Sequence, residues 1–233
     1  MNDNGSAPRA EEFDAQIEAA IPYYGCFHEE TIDLVRTLQR THWRGSSPTR
    51  WLDTGCGTGS LVLRAKVLFP RTSFVLADPS APMLALAGAK LAGADPAVEF
   101  AEPAESQALS FHAASFDVIT AILSHHYLDP PARRAATANC LRMLRSGGLF
   151  VTFENIRPFS PTGLAAGLDR CRAFQLREGR GPAAVDHHLA RFDREYFPLT
   201  IGAHLDLLRE AGFACGELLW ASHLQAGFWA LKA

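Results

Sequence analysis

The sequence predicts an α/β protein built around a doubly wound, mostly parallel sheet of seven strands. Two observations carry this expectation. From Trp51 onward, short β-rich runs alternate with segments of helical period, the order that builds β-α-β units. The first of those runs leads straight into a glycine-rich turn that opens a helix. Composition agrees: of 233 residues, 48% are hydrophobic and 20% charged, enough apolar surface for a sizeable core and unlike a disordered chain.

Glu11 to Arg40 is periodic enough for one or two amphipathic helices broken at Pro22, since proline removes a backbone donor and disfavours helix at the residue before it. These helices form an N-terminal cap over residues 11–48, behind a flexible tail over residues 1–10. Strands are expected at Arg50 to Asp53, Ser73 to Ala77, Val98 to Ala101, Phe116 to Ala121 and Leu149 to Phe153, then at Phe213 to Leu219 and His223 to Leu231. Helices are expected at Ser60 to Phe69, Ala81 to Ala92, Pro131 to Leu144 and Ile201 to Ala211, with Gly147-Gly148 ending the third. Residues 49–156 make the core, and residues 199–233 add one helix and two strands to the same single domain. The insertion between them, Arg157 to Pro198, has helical stretches near Leu164 to Arg177 and Ala183 to Arg194. Connections of this length in compact domains are usually lids or binding loops, and this one is read as a helical lid.

The formal net charge of −3 provides no global field to draw the protein to nucleic acid or anionic lipid, so a small molecule is the expected partner. The run from Phe116 to Leu123 is far too short to span a membrane, and the first twelve residues lack the basic and apolar stretches of a secretory leader. Five scattered cysteines with no Cys-x-x-Cys pair argue against a disulfide framework and a zinc site and fit a reducing cytoplasm. Oligomeric state stays open, a homodimer included.

In Trp51-Leu52-Asp53-Thr54-Gly55-Cys56-Gly57-Thr58-Gly59-Ser60 the glycines allow a tight turn and close approach of backbone to a ligand at the positive end of the next helix. The spacing is Gly-x-Gly-x-Gly. It is neither the dinucleotide Gly-x-Gly-x-x-Gly nor a phosphate-cradling loop ending in Gly-Lys-Ser/Thr. Asp78 follows the apolar strand Phe74 to Ala77, where a carboxylate can accept the hydroxyls of a ribose. The alternative is a purely structural turn, with Asp78 capping the helix that starts near Ser80.

From about Trp51 to Leu231 the chain resembles class I S-adenosylmethionine-dependent methyltransferases, through LDTGCGTG, LADPSAPML, SFDVITAILSHHYL and LRMLRSGGLFVTFE. The resemblance implies a Rossmann-like methyltransferase fold whose last strand is antiparallel, with S-adenosyl-L-methionine as cofactor. It places Asp53 and the Gly55-Cys56-Gly57-Thr58-Gly59 backbone beside the methionine moiety, Asp78 with Pro79 at the ribose, Met83 near the adenine, and Ala121 and Ile122 along the sulfonium side. The segments IPYYGCFHEETIDL and LLREAGFACGELLWASHLQAGFWALK look like the branch containing carboxy-S-adenosylmethionine synthase. That likeness makes Tyr24 a cofactor contact and Tyr23 a substrate neighbour, while both tyrosines equally suit packing of the cap.

Two departures from the family pattern stand out. Pro103 occupies the place of the usual adenine-binding Asp, leaving backbone near Ala104, or Glu102 or Glu105, to serve; each glutamate also suits a solvated surface. Phe197 occupies the place of the carboxylating branch's Arg, so a carboxylated cofactor would lack its charge partner.

Ser124-His125-His126-Tyr127 follows the fourth strand, at the sheet edge where α/β ligands bind. Either histidine, His126 ahead of His125, can act as a base near its ordinary pKa, or the pair only orients the loop into Asp129-Pro130-Pro131. Seven arginines of the insertion against five acids suit an anionic substrate or an ordinary solvated face. Tyr127, Arg157, Tyr196 and Phe197 are the remaining substrate candidates. The expected activity is methyl transfer to a small-molecule acceptor by in-line displacement. The alternative is an enzyme that modifies or cyclises S-adenosylmethionine itself, and a non-catalytic cofactor-binding subunit is a third reading.

Overall fold

The computed structural model describes residues 13–93 and 98–233, so the expected tail over residues 1–10 lies outside the described residues. Two helices come first, α1 (Phe13–Ala20) and α2 (Tyr24–Thr41), separated around Pro22 by Tyr23 in a left-handed conformation at φ 60°. The core follows as β1 (Arg50–Thr54), α3 (Ser60–Leu68), β2 (Ser73–Ala77), α4 (Ala81–Lys90), β3 (Glu99–Phe100), β4 (Phe116–Ile122), α5 (Pro130–Met143) and β5 (Leu144–Asn155). The insertion carries α6 (Pro161–Arg177) and α7 (Pro182–Ala190), and the chain ends in α8 (Ile201–Ala211), β6 (Cys215–Ser222) and β7 (Gln225–Leu231).

The seven strands form one sheet in the order β3-β2-β1-β4-β5-β7-β6. Neighbours are parallel from β3 through β5, and β7 runs antiparallel to both β5 and β6. The order reverses direction between β1 and β4, which opens a crevice at their carboxyl ends, the switch point where α/β folds bind ligands.

Alternation along each strand supplies both cores. Trp51, Phe74, Val118 and Phe153 pack with α2, α3 and α4 on one face, while Leu52, Val75, Ile119 and Phe150 pack with α5 and α8 on the other. Helix α2 is therefore part of a sheet-covering layer: Phe27, Ile32, Val35 and Leu38 are buried, and the Phe27 ring stacks on Phe153 at 4.8 Å.

Several boundaries differ from expectation, β6 among them, which runs Cys215–Ser222 and not Phe213 to Leu219. Helix α5 ends at Met143, and Gly147-Gly148 lies inside β5, which begins at Leu144 and not at Leu149. There the register with β4 jumps from Phe116↔Leu144 to Val118↔Leu149. Gly147 at φ 70° accommodates that bulge, and its N–H and the Gly148 carbonyl pair with Lys232. At the far end β7 starts at Gln225, because His223, at φ 51°, and Leu224 make the turn from β6.

Among the described residues, no helix is long and apolar enough to cross a membrane.

A Cβ on Gly227 would lie 2.5 Å from the Phe153 ring, the ring that carries the stack with Phe27. Gly227→Ala should lower stability by about 1–3 kcal/mol through overpacking, read as a reduced midpoint in urea denaturation at an unchanged slope.

Candidate active site

The turn after β1 is stitched to the end of β2: the amides of Gly55 and Cys56 both donate to the Ala77 carbonyl, at 2.7 and 3.1 Å. Gly55, Gly57 and Gly59 all have positive φ, at 68°, 53° and 76°, a region costly for residues with a side chain. They serve different ends. A Cβ on Gly55 would sit 2.3 Å from that of Ser124, in the loop after β4; one on Gly59 would press Leu91, Leu76 and Ala87; one on Gly57 would meet nothing within 4 Å. Gly55 thus closes the switch point, and Gly57 faces open space.

Two carboxylates flank this turn. Asp53 is buried and accepts from Thr120 Oγ1 at 2.6 Å, while the Trp51 indole donates to the same hydroxyl at 3.0 Å. Burial, helped by the Asp78 charge and only partly opposed by Thr120, pushes the Asp53 carboxyl up to about 7. Asp78 accepts from Gly57 N–H at 2.9 Å and Ser80 N–H at 2.8 Å. Burial still raises it against those two bonds. Among the described residues neither carboxylate is paired with a cationic side chain. Two buried acids without a counter-ion, beside a glycine with free space, fit a ligand that brings positive charge and hydroxyl donors.

The remaining cofactor candidates surround them. Pro79 is exposed and Met83 buried in the first turn of α4. The Ala104 amide is taken by the Asp78 carbonyl at 3.3 Å, so that donor is spent. Pro103, Glu102 and Glu105 are exposed. Ala121 is buried in the α5–α8 face, while Ile122 is half-buried on the other. Tyr24 packs edge-on against Phe27 and His28. Burial and the charges of Asp14 and Asp53 raise its phenol, which keeps its proton. Tyr23 is 56% exposed and packs against Trp220 and His223 of the β6–β7 hairpin.

After β4 the two histidines part company. His125 is buried beside His204 and Phe228 under α8, and burial presses it down to about 4. His126 is enclosed on the other side: Nδ1 lies 2.8 Å from Glu154 Oε2 and Nε2 lies 3.2 Å from Asn155 Nδ2. Neither ring nitrogen is left for a substrate. Glu154 also accepts from His126 N–H at 2.8 Å and Thr152 Oγ1 at 2.5 Å. Burial alone would raise it, but the hydrogen bond from His126, above all, outweighs that and holds it down to about 2.

Arg133, buried in α5, spends its guanidinium on carbonyls: His125 at 2.9 Å, His126 at 3.0 Å, Leu128 at 3.1 Å and Phe197 at 2.7 Å. With Phe197 N–H donating to His126 O at 2.7 Å, it ties the end of the insertion to the loop after β4. Tyr127 packs against His126 and Tyr196, with Arg191 over its ring. Tyr196 is buried, its hydroxyl donating to His188 O, and Phe197 is 37% exposed. Arg157 pairs with Asp193 and lies over Phe192. Arg172, Arg177 and Arg191 likewise pair with acids of the insertion, so four of its seven arginines are already matched.

Residues 52–148 match the family model described as a methyltransferase domain. Over this stretch the chain is similar to methyltransferases. Over 238 residues the chain is 26% identical to carboxy-S-adenosyl-L-methionine synthase of Trichodesmium erythraeum, covering 99% of this chain and 92% of that protein. It is 29% identical to the ubiquinone/menaquinone biosynthesis C-methyltransferase UbiE of Syntrophotalea carbinolica over 167 residues, 70% of this chain and 68% of that one. A possible histamine N-methyltransferase of Thermotoga maritima shares the fold at a TM-score of 0.60 and 14% identity, covering 97% of each chain. Of three other solved structures with this fold the chain spans 64%, 56% and 55%.

Several polar residues of the site carry no motif. Asp14 of α1 reaches across the glycine turn, accepting from Thr58 Oγ1 at 2.6 Å and from Ser60, and pairing with Lys90. Glu154 is the readable one: a carboxylate directly after the run Leu149 to Phe153 needs partners if that strand is buried. Arg133, Asn155 and Gln225 match ordinary surface patterns, and only their burial distinguishes them.

Gly55→Ala should cost more than Gly57→Ala, roughly 3 kcal/mol or more against about 1–2 kcal/mol, since both pay for positive φ but only the first collides with Ser124. Denaturant titration of the two variants checks the order. Asp53 has a folded-state pKa above its ordinary 3.8. The stability its proton provides is therefore fully present below about pH 4 and lost as pH rises through about 7. Unfolding titrations of the ligand-free protein at about pH 5 and about pH 8 should show Asp53→Asn gaining a few kcal/mol on the parent at the higher pH.

Proposed function

We propose that the protein transfers the methyl group of S-adenosylmethionine to a small-molecule acceptor held between the carboxyl ends of β4 and β5, the amino end of β7 and the α6–α7 insertion, which serves as its lid. The observation that carries this reading is the pair of uncompensated buried acids, Asp53 and Asp78, at the switch point of a methyltransferase sheet. Bound S-adenosylmethionine supplies a methyl group on a sulfonium, already activated for in-line displacement.

The chain's part is to bind, orient and exclude water. Asp53 and the Gly55, Cys56, Gly57 and Gly59 backbone flank the methionine end, with Tyr24 closing over it from α2. Asp78 takes the ribose hydroxyls beside Pro79. Met83 and Ala104 border the adenine, and Ala121 and Ile122 the sulfonium. Tyr127, Tyr196 and Phe197 wall the acceptor, with Arg157 and Tyr23 at the rim. His126, both of whose nitrogens are engaged, is a positioning residue here, and its partner loop moves with the lid through Arg133. The five cysteines are all free thiols, which supports a reducing, cytoplasmic setting.

A second reading, modification of S-adenosylmethionine itself, is favoured by the end-to-end likeness to a carboxy-S-adenosyl-L-methionine synthase. One feature speaks against carboxylation: by the resemblance, Phe197 stands in the place of that branch's Arg.

Calorimetry should detect S-adenosylmethionine binding to the parent, weakened at least about tenfold in Asp78→Ala, the scale of a lost charge-assisted hydrogen bond. Unchanged affinity in Asp78→Ala combined with Gly57→Val would refute the cofactor site. Mass spectrometry after incubation with cofactor alone should show no new product, and an acceptor-free product other than S-adenosylhomocysteine would transfer the assignment to the second reading.

A further inference from the structure

A cavity lies between the insertion and the sheet edge. Leu168, Leu189, Phe192 and Leu224 wall it, and Asn155 and Gln225 form its floor at the paired ends of β5 and β7. Gln225 is 3% exposed, and its Oε1 is buried without a hydrogen-bond partner. A buried orphan carbonyl costs about 1–3 kcal/mol, so its orientation needs a cause. The cause is three residues away along a hydrogen-bonded chain.

Glu154 is an ionised acceptor with its oxygens saturated, so His126 Nδ1 must carry the proton of their 2.8 Å contact. The 3.3 Å approach of Asn155 N–H to the same nitrogen is secondary to that bond. Asn155 turns its Nδ2, which can only donate, to Nε2 at 3.2 Å, so Nε2 is the accepting lone pair and the ring is neutral. That turns Asn155 Oδ1 toward Gln225, whose Nε2 donates to it at 3.0 Å. The last group, Gln225 Oε1, is left as an acceptor because neither amide can flip without facing donor to donor or acceptor to acceptor. A buried carboxylate thus dictates the polarity of the cavity floor.

We propose that Gln225 is the specificity residue of the acceptor site, and that the acceptor is a small, neutral, largely apolar molecule whose N–H or O–H donates to Gln225 Oε1. This rests on the methyl-acceptor reading above. Charged acceptors are disfavoured by the lining. Gln175 turns its Oε1 to Arg180 at 3.0 Å, which holds that guanidinium, and burial together with Arg180 and Arg191 keeps His188 neutral, at about 4. No ionised group on this lining would meet a charge stripped of water. A site that hydrogen-bonds a donor rejects analogues lacking it, because its own buried polar group is then unpaired. In the closed chain the interior holds little more than a water molecule, so admission requires α6 to lift from Leu224. It packs there through Gly167, where a Cβ would lie 2.5 Å from the leucine.

The test uses matched single-ring probes with the full chain and saturating S-adenosylhomocysteine: phenol against anisole, indole against 1-methylindole, and benzoate and benzylamine as charged controls, titrated by ligand-observed NMR. Phenol and indole should bind about tenfold more tightly than their methylated partners. Gln225→Met should abolish that preference, and Leu168→Trp, which fills the cavity without touching the polar chain, should abolish binding of all four. Equal affinity within both pairs, a preference that survives Gln225→Met, tighter binding of a charged probe, or no binding by any probe each overturns the proposal. Should Gln225→Met not fold by circular dichroism, the within-pair comparison on the parent and the Leu168→Trp result still decide. Calorimetry of S-adenosylmethionine on the same proteins separates the two readings: its loss from the parent sinks the methyltransferase site, whereas its retention without a donor preference sinks only the Gln225 assignment.

Discussion

A Cβ at Gly55 would lie 2.3 Å from the Cβ of Ser124, so the turn after β1 and the loop after β4 can share the switch point only because one of them has no side chain there. That approach sets the rest of the carboxyl edge. It leaves the Gly55 and Cys56 amides on Ala77 O, which aligns Asp53 and Asp78 across the turn, and it launches His125 and His126 in opposite directions. Arg133 then gathers the carbonyls of that loop and of Phe197 on one guanidinium, so the glycine turn, the loop and the end of the insertion form one connected unit.

The buried carboxylates at this edge are of two kinds. Glu154 is satisfied from within, by Thr152 and by the ring and backbone of His126, and is held down to about 2. Asp53 has one hydroxyl for a partner and rises to about 7. The same chemical group is structural where the protein supplies its donors, and marks a ligand site where it does not. The first kind orders the floor of the cavity under the insertion, and the second awaits positive charge at the glycine turn.

Most of the fold was legible because its signal is local. The β-rich runs, the helix starts at Ser60, Ala81 and Ile201, the break at Pro22 and the glycine turn are written in neighbouring residues. The errors fell where distant partners decide. Gly147-Gly148 reads as a helix stop, yet it serves a bulge in β5 held by Lys232 from the other end of the chain. Helix α2 reads as part of an N-terminal cap, and the stacking of Phe27 on Phe153, which no local pattern shows, seats it in the layer over the sheet. His126 reads as a candidate base on residue type alone, and its enclosure by Glu154 and Asn155 is invisible to spacing.

The sequence by itself determined the α/β class and the position of the glycine turn and its acidic partner Asp78, because strand period, turn chemistry and the order of elements are short-range properties. Tertiary structure alone decided which polar groups are spent and which are left over. Burial and hydrogen-bond partnership depend on residues far apart in the chain, as Asn155 and Gln225 are, and no local pattern tells the satisfied Glu154 from the uncompensated Asp53 or the orphaned oxygen of Gln225.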